Sequence, residues 1–149
     1  MKNLDTAKVP CIISAGGKEG PWDIRERAFQ YALRAIKLYQ YLQKQKDGAG
    51  WILGKQYMRA ACSLGANIEE AQSGESRADF IHKMGIAEKE ARESLYWLRL
   101  TSSSGIVPVS KQSPLMKETE ELTAILASII LSTKGAKSTA GGVIAIHNS

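Results

Sequence analysis

The sequence is poor in the residues that would tie it to a metal, a disulfide or a membrane. Cysteine occurs twice, at Cys11 and Cys62, far apart and outside any metal-ligand spacing. A disulfide framework is therefore excluded as the source of stability, and reduced thiols in a cytosol are expected. Histidine also occurs twice, and only His82 lies outside the C-terminal segment. Helical bundles that hold two metals need a Glu on two helices and Glu-x-x-His on two others. Glu-x-x-His does not occur here, and Asp79-Phe80-Ile81-His82 is the nearest approach. Helical phase turns His82 away from the apolar stripe, and likewise Glu90 and Glu93. Those acids suit surface pairs with Lys89 and Arg92. No glycine-rich phosphate loop follows a strand, and no Ser/His/Asp or Cys/His set has a home. No catalytic activity and no cofactor are expected. The longest apolar run, Ile125 to Leu131 with Ser128 inside it, is too short to span a bilayer. The opening segment MKNLDTAKVPCIISAGG lacks the apolar stretch of a signal peptide. A cytoplasmic protein away from membranes is expected.

What is present is an all-helical pattern. The 149 residues suit one domain, and an apolar fraction of 44% suffices for one core. Residues 1–21 carry Pro10, Gly16, Gly17, Gly20 and Pro21 without a sustained period, which reads as a flexible arm. Asp23 then caps a first helix, with Glu26 three residues on. Its stripe is Ile24, Ala28, Tyr31, Ala35, Leu38 and Leu42, alternately four and three apart. Asp47-Gly48-Ala49-Gly50 ends it. A second helix, from about Trp51 to Ser73, carries Tyr57, Ala61, Leu64, Ile68 and Ala71. Gly74 reads as its stop.

Ser76 with Asp79 caps a third helix whose stripe is Phe80, Met84, Ala87, Ala91, Leu95 and Leu98, fraying at Thr101-Ser102-Ser103-Ser104-Gly105. Ser113-Pro114 reads as the start of a fourth. Its face is Leu115, Leu122, Ile125, Leu126 and Ile129, and Lys134-Gly135 closes it. Residues 135–149 read as a flexible tail. Four amphipathic helices with short connections predict an antiparallel up-down-up-down four-helix bundle over residues 22–134.

Three groups of residues fall outside the core stripes. Gly65 and Asn67 flank the second stripe. Glycine in mid-helix costs about 1 kcal/mol against alanine, so close packing is expected at Gly65. A half-buried asparagine needs partners, which predicts a structural polar cluster of Arg59, Asn67, Glu70, Glu88 and Arg92. Ile86, Tyr96 and Trp97 leave the third stripe and predict an oligomer interface, because exposed aromatics are enriched at subunit contacts. Arg27, Arg34, Lys37 and Lys44 line the outer face of the first helix, and Lys55 and Arg59 lie a turn apart on the second. With a formal net charge of +5 and a pI near 9.2, these six are candidates for contact with nucleic-acid phosphates.

Residues 57–100, YMRAACSLGANIEEAQSGESRADFIHKMGIAEKEARESLYWLRL, resemble the four-helix bundle proteins encoded by intervening sequences in bacterial 23S ribosomal RNA genes. SGIVP at 104–108 and EELTAILASII at 120–130 resemble the same family's last loop and helix. The resemblance spans roughly residues 22–134 and is most specific in S-x-G-A-N-I-E-E-A and EARE-x-x-YWLRL. It implies a homopentamer of bundles without known catalytic activity, in which Asn67 and Glu70 are structural. A similar fold serves as the accessory protein of diversity-generating retroelements, a basic pentameric barrel that binds nucleic acid and a reverse transcriptase. Two functions are thus expected as alternatives: weak, sequence-independent RNA or DNA binding, or an adaptor oligomer that holds a protein partner such as a reverse transcriptase.

Overall fold

The computed structural model describes the backbone of residues 23–145 and the side chains of residues 23–135. The arm read at 1–21 lies outside the described residues. Four helices follow in order: α1 (Ile24–Lys44), α2 (Gly48–Gln72), α3 (Arg77–Ser103) and α4 (Val109–Ala145). Each packs on its chain neighbours, and a sparser seam between α1 and α4 closes the ring. The architecture is the antiparallel four-helix bundle that the apolar periodicity predicts.

Local chemistry sets most of the boundaries. Asp23 accepts from the Arg25 amide at 3.2 Å and Ser76 from the Asp79 amide at 3.1 Å, each satisfying an otherwise unpaired N–H. Asp47 accepts from the Gly50 amide at 3.0 Å, so Asp47-Gly48-Ala49-Gly50 opens α2 and does not merely end α1. Between them Lys46 takes the left-handed backbone conformation, φ 52°. Gly74 does not take it, so the stop read there is of another kind: its amide bonds the Ala71 carbonyl at 3.2 Å.

The start of α4 corrects the sequence reading. The helix begins at Val109, and Pro114 lies inside it. Gln112 is fully buried and donates to Thr101 Oγ1, whose own hydroxyl donates to the Leu98 carbonyl at 2.9 Å. With Val107 also buried, this anchor winds the chain before the proline is reached. It also holds Thr101 inside α3, where fraying was expected. At the other end α4 runs through Lys134-Gly135 to Ala145, so that stop is not one, and residues 136–145 of the expected tail are helical.

The core stripes of α1 and α2 are buried as read. On α3 Ser94 is fully buried while Leu95 is half-buried, and on α4 Ile130 lies deeper than Ile125 and Ile129. At mid-bundle every helix contributes a buried hydroxyl: Tyr31, Tyr57, Ser94 and Thr119. Thr119 donates to the Leu115 carbonyl at 2.6 Å, so Tyr31 is the donor in the 2.6 Å bond between Tyr31 Oη and Thr119 Oγ1. The Tyr57 ring meets Tyr31 edge-on at 6.2 Å, but the Tyr57 and Ser94 hydroxyls complete no hydrogen bond. Burial pushes the pKa of both tyrosines up, so both phenols stay neutral.

Two contrasts test this packing. A methyl at Gly54 would lie 2.6 Å from Cδ1 of the fully buried Leu42, whereas one at Gly65 meets nothing nearer than the Ala28 carbonyl oxygen at 3.6 Å. Gly54→Ala is expected to destabilise by about 1–3 kcal/mol, and Gly65→Ala to stabilise by about 0.5–1 kcal/mol, in urea titrations. Tyr31→Phe removes a bonded hydroxyl and is expected to cost about 0.5–1.5 kcal/mol. Tyr57→Phe removes an unpaired one and should leave stability level or raise it. The reverse order in either pair would contradict the packing described.

Candidate nucleic-acid interface

The six candidate cations do not form one row. Arg27 projects from α1 across the α4 seam, with Nε 3.0 Å from Glu118 Oε1 and Nη2 2.9 Å from Glu118 Oε2. The same Nη2 lies 2.8 Å from Glu121. Glu118 and then Glu121 raise the pKa of the guanidinium, against the opposing effect of burial. This forked ion pair is structural, and Arg27 is not offered to a ligand. Arg59 is likewise engaged, bonding Glu93 and lying 3.8 Å from Glu90. Arg34, Lys37, Lys44 and Lys55 have no acidic partner among the described residues. The three lysines are exposed, while Arg34 is half-buried on a groove of about 470 Å³ shared with Arg27, Gln30, Tyr31 and Glu118.

The expected polar cluster separates into unconnected pieces. Asn67 bonds its own helix, donating to the Ser63 carbonyl at 2.8 Å and to Ser63 Oγ at 3.3 Å. Glu70 pairs with Lys83 at 2.6 Å and Glu88 with Arg92 at 2.7 Å. Helical phase places a residue on a flank but does not choose its partner, and the long lysine and arginine side chains reach nearer acids.

A different chain of contacts was missed. On the α2–α3 seam Arg59 bonds Glu93, and Trp97 Nε1 donates to the same Glu93 oxygen at 3.0 Å. Glu90 and Glu93 therefore face Arg59, not Lys89 or Arg92. The signal was the i, i+4 spacing of Glu93 and Trp97. It also corrects the reading of Trp97, which is half-buried and packs on the core edge; Ile86 too is half-buried. Of the three expected interface residues only Tyr96 stands free, 54% exposed, its ring meeting Trp97 edge-on at 5.0 Å.

No group of three or more His, Cys, Asp or Glu side chains placed to hold a metal occurs among the described residues. None of the described helices is long and apolar enough to cross a membrane. Cys62 is a free thiol, raised in pKa by partial burial.

The model of the family described as 23S rRNA-intervening sequence protein matches residues 22–128. The chain belongs to that family. A crystal structure of a protein of unknown function from the S23 ribosomal protein family of Bacteroides thetaiotaomicron VPI-5482 is 36% identical. It superposes with a TM-score of 0.68 over 72% of this chain and 97% of its own. Curated proteins give no match. The fold and family expected from the sequence are thereby established.

The Arg59–Glu93–Trp97 chain has a pH signature. The Trp97 N–H, then Arg59, hold the Glu93 carboxyl below its ordinary 4.5. A carboxyl lowered on folding adds stability above its unfolded pKa and loses it as pH falls through the folded value. Thermal melts of wild type and Glu93→Gln are therefore expected to differ above about pH 4.5 and to converge below it. A constant difference down to strongly acidic pH would remove this role for Glu93.

Proposed function

We propose that this member of the 23S rRNA-intervening sequence protein family is a non-catalytic, cytoplasmic oligomer, a pentamer by resemblance. On this reading it needs no cofactor and holds RNA or DNA weakly, without reading sequence. The observation that supports the reading is the set of unpartnered cations Arg34, Lys37, Lys44 and Lys55. Cations without a carboxylate beside them are free to displace the counterions condensed on phosphates, and that release drives binding without base contacts. Repetition around an oligomer would sum several such fields into one.

Tyr96 favours a second, compatible role. A largely exposed tyrosine braced edge-on by Trp97 presents an anchor of the kind enriched at protein interfaces. On this reading the α3 face holds a sister subunit or a protein partner such as a reverse transcriptase, while the cations face nucleic acid.

Salt separates the two roles. If the unpartnered cations contact phosphates, the logarithm of affinity should fall with the logarithm of salt at a slope of about −3, from roughly −0.7 to −0.9 per contact. Arg27→Gln, which removes an engaged cation, is expected to lower the melting temperature and leave that slope in place. Capture of nucleic acid that ignores salt, or its absence in about 50 mM salt, would end the phosphate reading.

A further inference from the structure

The cations left over from the seams are gathered at one end of the bundle. Antiparallel winding brings the C-terminal ends of α1 and α3 together with the N-terminal ends of α2 and α4. Leu42, Gly50 and Ile106 meet there: a methyl at Gly50 would lie 3.2 Å from Ile106 and 3.5 Å from Leu42. Around this end stand Lys37 and Lys44 of α1, Lys46 of the first turn, Lys55 of α2, Arg99 of α3 and Lys111 of α4, all exposed. None has an acidic partner among the described residues. Asp47 is the one described carboxylate in this region, and it is occupied in capping α2. The other described acids lie at mid-bundle or toward the opposite end, where most are paired with arginine or lysine or cap a helix.

An oriented aromatic ring sits among these cations. Trp51 is 46% exposed, yet its Nε1 donates to the Leu42 carbonyl at 3.0 Å and the Gln43 carbonyl at 3.2 Å. The indole is thereby pinned across the end of α1 with part of its surface left to solvent. Lys55 follows it by one helical turn, and Lys44 and Lys46 follow the Leu42 and Gln43 carbonyls that it bonds. Tyr41 nearby is already engaged, with Lys111 Nζ lying 4.7 Å from its ring centroid.

We propose that this end of the bundle is a docking surface for single-stranded nucleic acid, with Trp51 as the stacking platform and Lys44, Lys46 and Lys55 as its nearest phosphate contacts. The inference rests on the nucleic-acid reading above and adds the strandedness and the locus. A ring with an open surface accepts an unpaired base of any identity, and the cations beside it track the backbone. A duplex keeps its bases stacked on each other and has none to offer. The cations also ring the end on all four helices, a path that a flexible strand follows and a straight duplex does not.

The test is fluorescence anisotropy of the full-length protein with labelled oligonucleotides of about 16 nucleotides, single-stranded RNA and DNA against the matching duplex. Single strands should bind more tightly than duplex. Trp51→Ala should weaken single-strand binding about tenfold, whereas Trp51→Phe, which loses the same carbonyl bonds but keeps a ring, should retain most of it. Lys46→Gly suits the left-handed backbone at that position, so the fold should survive while the salt slope shrinks by about one contact. Wild-type protein that binds no oligonucleotide would overturn this inference together with the broader reading. Wild-type binding that ignores Trp51→Ala and Lys46→Gly, favours duplex, or is displaced equally well by polyglutamate would overturn this inference alone.

Discussion

The hydroxyl of Tyr31 closes the bundle. α1 and α4 are the first and last helices, joined by no loop, and their seam is the sparsest of the four. Tyr31 crosses it at the level of Thr119, and Arg27 crosses it to Glu118 and Glu121. A hydroxyl buried in a low-dielectric core must keep its partner or forfeit about 1–3 kcal/mol. Sliding α4 by a turn would take Thr119 away from Tyr31 and both glutamates away from Arg27. Apolar stripes alone tolerate such a slide, because one leucine replaces another. The polar crossing therefore sets the axial register, and everything placed by register depends on it.

That register sorts the charges. Where seams need ion pairs, arginines and carboxylates face each other: Arg25 with Glu69, Arg27 with Glu118, Arg59 with Glu93. The acids of those pairs lie at mid-bundle and toward one end. The other end keeps its lysines without a counter-charge, together with Trp51. A family of bundles need not share any chemistry to share this consequence: what the packing leaves unneutralised is what a polyanion can find. The net charge of +5 belongs to the whole chain and does not display this sorting: among the described residues most acids are paired, while the cations at one end are not.

Much of this was readable from residue order, and the misses have physical causes. Stripes such as Ile24, Ala28, Tyr31, Ala35, Leu38 and Leu42 read correctly because burial repeats with the helix period. Caps at Asp23 and Ser76 read correctly because an N-cap acts within three residues. Pro114 misled because a proline near a helix start is ordinarily its first residue, and only the distant Thr101 shows why the helix begins earlier. Gly65 drew notice for its position in a conspicuous motif, but Gly54 is the glycine whose neighbour leaves no room for a methyl. Asn67 satisfied itself locally at Ser63, so the cluster built around it had no reason to form.

Residue order by itself determined the four helices, their order, their apolar faces and their family, since each is a property of periodicity or of neighbours a few positions apart. Tertiary structure alone decided which cations remained available, that Glu93 met Arg59, and that Trp51 lay among lysines at one end. Those outcomes depend on partners far along the chain. An ion pair forms with whichever opposite charge the packed backbone brings within reach, and sequence spacing holds no record of that distance.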